Sequence, residues 1–269
     1  MKKKILITND DGPYSPGLKL LYEAVKLLGE PYVVVPETPK SATGLGLTLH
    51  KPLRISKVKI FNITVYLCNG TPSDIVHLAI SEVLNGYPDL VVSGVNIGDN
   101  TSIQVILSSG TVGAAAQAAL LGIPSIAFSV DVSSHEELVE NLELRTLIIR
   151  VSRVISEYVL SESLPRNVHL LNVNYPNVIK DDINVKIVPA AMRRFEERIV
   201  KRYDPQGGSY FWLYGTPSKF EEGTDVYTLK VEKNIAITPI TLNLNVTRST
   251  LNKATFKDLL DRVNKVLRV

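Results

Sequence analysis

Lys4–Gly12 reads KILITNDDG, and the fold is decided inside it. Ile5, Leu6 and Ile7 form a short apolar run without polar alternation, the pattern of a strand buried on both faces of a parallel sheet. Asp10 and Asp11 follow at the carboxyl end of that strand, with Gly12 beyond them. Neighbouring carboxylates repel unless a cation or a proton offsets their charge. In an open α/β sheet, the carboxyl ends of the strands are where ligands bind. The pair therefore suggests a hard, oxygen-loving metal ion, and such an ion suggests phosphate.

Outward from this stretch, strands and helices alternate. Ser15 and Pro16 mark a helix start, Leu18, Leu21, Val25 and Leu28 line its apolar face, and Gly29 is expected to close it. Tyr32–Val35 reads as a second strand, followed by a glycine-rich loop, PKSATGLG, over 39–46. Residues 47–68 read as extended chain with a turn near Phe61 and Asn62. Thr71, Pro72 and Asp74 spell a capping box, a bland duty that accounts for Asp74 without chemistry. The segment after Pro88, DLVVSGVN, is another buried strand, running into the Gly- and Asn-rich IGDN. A small-residue helix, GTVGAAAQAALLG, starts near 110, and Ile123–Val130 is the next strand. One long helix is expected after a Ser134–Glu137 capping box. From Val168 come a core strand in HLLNVNYP, an alternating strand in INVKIVPA, and a last strand over Asn234–Ile240. Residues 253–267 predict an amphipathic terminal helix. Such alternation argues for a doubly wound α/β core with right-handed crossovers.

The bulk properties bound the function without choosing it. The 269 residues are 45% hydrophobic and 21% charged, ordinary for a globular chain. A net charge of +3 with scattered basic residues gives no footprint for a nucleic-acid duplex. Cys68 is the single cysteine, which excludes an intramolecular disulfide and fits a reducing compartment and a buried thiol. The N-terminal lysines lead into no signal-peptide h-region, and no apolar run reaches spanning length; the expectation is a cytoplasmic protein with no membrane partner. The four histidines are widely spaced and form no zinc signature.

Polar or glycine-rich segments at Asn9–Gly12, 41–46, 93–100 and 108–113 all belong near one edge of the expected sheet. Together they offer two carboxylates, a Ser or Thr hydroxyl and an Asn carbonyl, an all-oxygen set suited to Mg²⁺, Mn²⁺ or Ca²⁺. Ser109, Gly110 and Thr111 open a helix, whose free N–H groups and dipole attract an anion; an ordinary Ser-capped helix is the alternative. There is no GxxxxGK[ST] phosphate loop, and no GxGxxG follows the first strand.

These segments carry a resemblance to the stationary-phase survival protein SurE family. The matching stretches, in order, are ILITNDDG, VVVPETPKSATGLGLTL, CNGTPSD, PDLVVSGVNIGDN, SSGTVGAAAQAALLGIPSIAFS, NVNYP and ITPI. The resemblance implies a three-layer α/β/α fold with a Rossmann-like, mostly parallel sheet, a C-terminal β-hairpin arm and a terminal helix. It implies metal-dependent hydrolysis of nucleoside 5'-monophosphates, with 3'-monophosphates a further substrate. It assigns one divalent ion per subunit, Mg²⁺ or Mn²⁺, to Asp10, Asp11, Ser41 and Asn96. It places Asn9, Asn96, Ser109, Gly110 and Thr111 at the phosphate, with Asn9, Asp10 and Asp11 in the catalytic group. Water is implied to attack phosphorus directly, rather than through a phospho-aspartate. Similar proteins often carry an aromatic residue where Ser108 stands, so the pocket wall is expected to differ here.

Residues 1–180 are expected to form the catalytic core, and 181–269 a β-rich extension with an oligomerisation arm and the terminal helix, within a single domain overall. In 192–222, charges interleave with Phe195, Tyr203, Tyr210, Phe211, Trp212, Tyr214 and Phe220 around a Gly207–Gly208 turn. Either an oligomer contact, giving a homodimer or homotetramer, or a local apolar cluster would account for them. Other readings of the same site are a broad-specificity acid phosphatase, an exopolyphosphatase, or a nucleotide-binding regulator without catalysis.

Overall fold

The structure is a computed structural model and describes residues 2–162, 164–246, 250 and 254–266. Strands Lys4–Thr8 (β1), Glu30–Pro36 (β2), Ile55–Ile60 (β3), Ile63–Cys68 (β4), Leu90–Ile97 (β5), Ser125–Val130 (β6), Leu170–Tyr175 (β7), Val185–Ile187 (β8) and Ile235–Ile240 (β11) share one sheet. Their order is β3-β4-β2-β1-β5-β6-β7-β11-β8. The pairs from β4 through β7 are all parallel, while β3 and β11 pair antiparallel with β4 and β7. Strands Phe195–Tyr203 (β9) and Ser209–Pro217 (β10) form a separate antiparallel hairpin.

The β1 run buries both faces because consecutive side chains point to opposite sides. Ile5 and Ile7 join a core with Leu18, Leu21 and Val25 of helix Pro16–Val25 (α1), Leu138 of His135–Glu140 (α5), and Leu144 and Ile148 of Leu142–Ser161 (α6). Leu6 joins the other core, with Ile75 and Val76 of Pro72–Leu78 (α2) and Ala114 and Ala118 of Gly110–Leu120 (α4). Helices on both faces complete the α/β/α layering. Chain order reverses at β1: β2 lies on one side and β5 on the other. Ligands of open α/β sheets bind outside the carboxyl ends of the strands at such a switch point, here those of β1 and β5.

Local expectations fare unevenly. The Thr71–Asp74 capping box forms, and Phe61 and Asn62 make the β3–β4 turn with φ of 52° and 60°. Cys68 is buried, and burial raises its thiol pKa. Helix α1 ends at Val25, and Gly29 lies beyond it, where the chain meets the Lys3 carbonyl through Glu30. The long helix is broken at Asn141, whose side chain accepts from the Leu144 N–H and starts α6 afresh. Glu137 turns to the backbone N–H of Ser133, so only half of the Ser134 box forms. Strand β8 has only three residues. Helices Ser102–Ser108 (α3) and Asp225–Lys230 (α7) lie in stretches that show no clear apolar periodicity. The terminal helix is described over Ala254–Val266 (α8). Among the described residues, no helix is long and apolar enough to cross a membrane.

Candidate active site

The turn after β1 is held by its own first residue. Asn9 Nδ2 donates to the Gly12 carbonyl at 2.8 Å, and the Gly12 N–H returns a bond to Asn9 Oδ1 at 3.2 Å. This closed pair points Asp10 and Asp11 in two directions, each toward a different segment. Asp10 meets α4: its carboxylate accepts a short hydrogen bond from the Thr111 hydroxyl. Asp11 meets the end of β5: its Oδ2 accepts from the Ile97 N–H at 3.2 Å and from the Ser15 hydroxyl at 3.4 Å. Ser15 occupies the N-cap position of α1 and makes no side-chain cap there; its hydroxyl donates to Asp11.

The anion standing at the start of α4 is thus the Asp10 carboxylate. Gly110 makes this approach possible: a Cβ there would lie 2.9 Å from Asp10 Cβ, 3.0 Å from Asp10 Oδ2 and 2.9 Å from Thr43 Oγ1. Ser109 caps the helix by accepting from the Val112 N–H at 3.2 Å, which leaves its own hydroxyl hydrogen free to donate.

The 39–46 loop is fastened at several points. The Lys40 N–H donates to the Asp10 carbonyl at 2.7 Å, and Gly44 N–H to the Ser108 carbonyl at 2.9 Å. Thr43 donates to the Lys40 carbonyl at 2.9 Å. Beyond the loop, Asp74 Oδ1 accepts from the Thr48 N–H at 2.9 Å, and Thr71 donates to the Gly46 carbonyl at 2.7 Å. Ser41 lies exposed on the turn between the Lys40 and Thr43 anchors.

Asn96 comes from the last residues of β5, just past a register shift between Ser93 and Asn96. Its Nδ2 donates to the Gly98 carbonyl at 2.7 Å and to Ile97 O at 3.3 Å. The donor end of the amide is thereby occupied, and Oδ1 is the end left for a cation.

Burial and mutual repulsion raise Asp10 to a pKa of about 6, against the downward pull of Thr111. Burial likewise raises Asp11 to about 6, against hydrogen bonds from Ile97 and Ser15. Two buried carboxylates with elevated pKa values, at the carboxyl end of the strand where chain order switches, mark a candidate functional site. Among the described residues, no group of three or more His, Cys, Asp or Glu could hold a metal ion. A metal at this pair would therefore take its remaining donors from neutral oxygens.

All the candidate residues, Asn9, Asp10, Asp11, Ser41, Asn96, Ser109, Gly110 and Thr111, lie on segments joined to one another around this turn. Sequence reasoning did not pick out Ser15 and Thr43. Ser15 is legible as the residue four after Asp11, but its cap position argued for another duty. Thr43 reaches the site only because the loop folds back.

A family model described as Survival protein SurE matches residues 5–197. A protein of Hyperthermus butylicus named 5'-nucleotidase SurE is 60% identical over 244 residues, covering 90% of this chain and 86% of its own. One of Thermofilum pendens with the same name is 56% identical, covering 89% and 91%. The crystal structure of the SurE protein from Aquifex aeolicus superposes with a TM-score of 0.76 at 36% identity, covering 93% of this chain and 97% of that one.

Proposed function

The chain belongs to the survival protein SurE family, and from that premise we propose that it is a metal-dependent 5'-nucleotidase that hydrolyses nucleoside 5'-monophosphates to nucleoside and phosphate. The observation that carries this reading is the buried Asp10–Asp11 pair, each member raised to about 6, beside the start of α4.

Asp10, Asp11, Ser41 and Asn96 hold one divalent ion, Mg²⁺ or Mn²⁺. The donor chemistry fits: two carboxylates whose charges need an offset, an amide with its oxygen end free, and a hydroxyl on an exposed turn. When bound, such an ion polarises the phosphoryl group and lowers the pKa of water. The chain's own residues orient and discharge the substrate. The Ser109 hydroxyl and the Gly110 N–H, beside the Asp10 carboxylate, donate to phosphoryl oxygens as charge develops on them. The second hydrogen of Asn9 Nδ2, unused in the turn, is a further donor to the phosphate. Asp10 or Asp11 accepts the proton released by the attacking water.

The test is a phosphate-release panel. Purine and pyrimidine 5'-monophosphates, 3'-AMP, p-nitrophenyl phosphate and polyphosphate are each assayed with Mg²⁺, Mn²⁺ and EDTA. The expected result is metal-dependent release, greatest from 5'-monophosphates and abolished by EDTA. No release from any nucleotide, or release indifferent to EDTA, overturns the proposal; release greatest from polyphosphate or p-nitrophenyl phosphate moves the substrate class.

The partner of the hairpin arm is a second copy of this chain. Ile199, Tyr203, Phe211 and Leu213 lie along one face of the β9–β10 hairpin and are exposed. Trp212 and Tyr214 are exposed on the other face. A lone two-stranded hairpin is marginal in water, and self-complementary pairing covers such surface in most oligomers. The free, buried thiol of Cys68 accords with a cytoplasmic setting.

A further inference from the structure

Asp99 is buried just past the end of β5, three residues after Asn96, and has no part in the proposed chemistry. Its side chain is 1% exposed, and it pairs with Arg194 and, at 2.8 Å, with Lys230. Burial raises the Asp99 carboxyl, but Arg194 and Lys230 together hold it below the ordinary range. Lys230 also pairs with Asp131. Buried ion pairs of this kind are poor sources of stability, because desolvation consumes most of the attraction; what they supply is a fixed position.

That position bears on Asn96 through one peptide. The Gly98 carbonyl that accepts from Asn96 Nδ2 at 2.7 Å lies in the same rigid peptide plane as the Asp99 nitrogen. Anchoring Asp99 therefore fixes the acceptor that orients the Asn96 amide. The anchors come from far along the chain. Arg194 stands at the root of the hairpin, and Lys230 ends α7. The same root is joined to the start of α3: Gln104 Oε1 accepts from the Arg194 N–H at 3.1 Å and the Phe195 N–H at 3.0 Å, and the Ile103 N–H donates to the Ala191 carbonyl at 2.8 Å. Asp225 ties both ends, accepting from the Ser102 N–H at 2.8 Å and the Ala191 N–H at 2.9 Å. Ser102 adopts a φ of 72°, a left-handed conformation that surrounding bonds must maintain.

We propose that Asp99, clamped by Arg194 and Lys230, is a positioning residue: it fixes the Gly98–Asp99 peptide and so turns the Asn96 carbonyl oxygen toward the cation. The inference rests on the reading of Asn96 as a metal ligand. It makes the metal loop dependent on the root of the arm.

The experiment compares Arg194→Met and Arg194→Lys with the wild type by calorimetric Mn²⁺ titration and by phosphate release from AMP across Mn²⁺ concentrations. Electrostatics and positioning predict opposite signs. Removing a nearby positive charge would by itself tighten cation binding. Loss of positioning weakens it, by about tenfold on the scale of outer residues that orient metal ligands. The expected result for Arg194→Met is weaker Mn²⁺ binding, with kcat restored at saturating Mn²⁺ and KM for AMP unchanged; Arg194→Lys restores most of the affinity. If Arg194→Met does not fold, Lys230→Met, which likewise takes a positive charge and an anchor from Asp99, is titrated in its place, with weaker binding expected. A folded variant with equal or tighter Mn²⁺ affinity beside a metal-binding wild type overturns this inference alone. A wild type that binds no Mn²⁺ overturns the reading of the site and this inference with it.

Discussion

Asp10 carries its charge where water barely reaches, at 4% exposure beside a second carboxylate. Its pKa of about 6 lies above the 3.8 of an unperturbed carboxyl, so the folded chain holds a proton that the unfolded chain has released between those values. The contribution to stability is full below pH 3.8 and is lost as pH rises through about 6. Asp10→Asn removes this penalty while keeping an oxygen to accept from Thr111. In EDTA, the variant is expected to be more stable than the wild type at pH 7 by about 2–3 kcal/mol, with the difference vanishing near pH 4; paired urea unfolding curves at the two pH values check it. The same variant should lose phosphate release by roughly a hundredfold or more. Excess Mn²⁺ should reverse the order, because the ion stabilises the wild type more than the variant; melting temperatures with and without Mn²⁺ read this directly.

At the scale of elements, α4 and the 39–46 loop are fitted to each other without slack. A Cβ on Gly113 would lie 2.1 Å from the Gly44 carbonyl oxygen and 2.7 Å from its carbon, backbone that cannot rotate aside. Gly113→Ala is therefore expected to destabilise by about 1–3 kcal/mol and to lower phosphate release by displacing the loop that bears Ser41. Urea midpoints and initial rates separate these two effects. The elements of this half were legible because each carries a local signal: the apolar runs of β1, β5 and β6, and the Thr71–Asp74 box of α2. Helix α3 carries none. Its start is fixed by Asp225 and its side by the root of the hairpin, both distant in the chain. The break at Asn141 was missed for the opposite reason: the apolar pattern continues across it, and only the Asn141 cap interrupts the helix.

Among the described residues, the molecule leaves one apolar surface exposed on its hairpin. Ile199 and Leu213 are cross-strand partners, 71% and 77% exposed, on a hairpin outside the main sheet. Replacing both with lysine sets like charges opposite each other and removes the apolar contact. If the arm joins two copies, sedimentation should show Ile199→Lys/Leu213→Lys shifting from the wild-type assembly toward monomer. A double variant that sediments as the wild type does would count against the arm as the contact.

The sequence alone determined the layered α/β core and set two acids at the carboxyl end of its first strand. Hydrophobic period and capping are local properties, written within a few residues, and the acids at the end of β1 follow from chain order. It also carried the family resemblance, through motifs kept in series. Only the tertiary structure decided how the acids divide, Asp10 toward α4 and Asp11 toward β5, and that the anion at the start of α4 is a carboxylate of the chain itself. It alone brought Arg194 and Lys230 onto Asp99. Those contacts join residues as much as 131 positions apart in number, from Asp99 to Lys230, and no local pattern encodes them: they exist because the sheet order returns the C-terminal segment to the carboxyl end of β5.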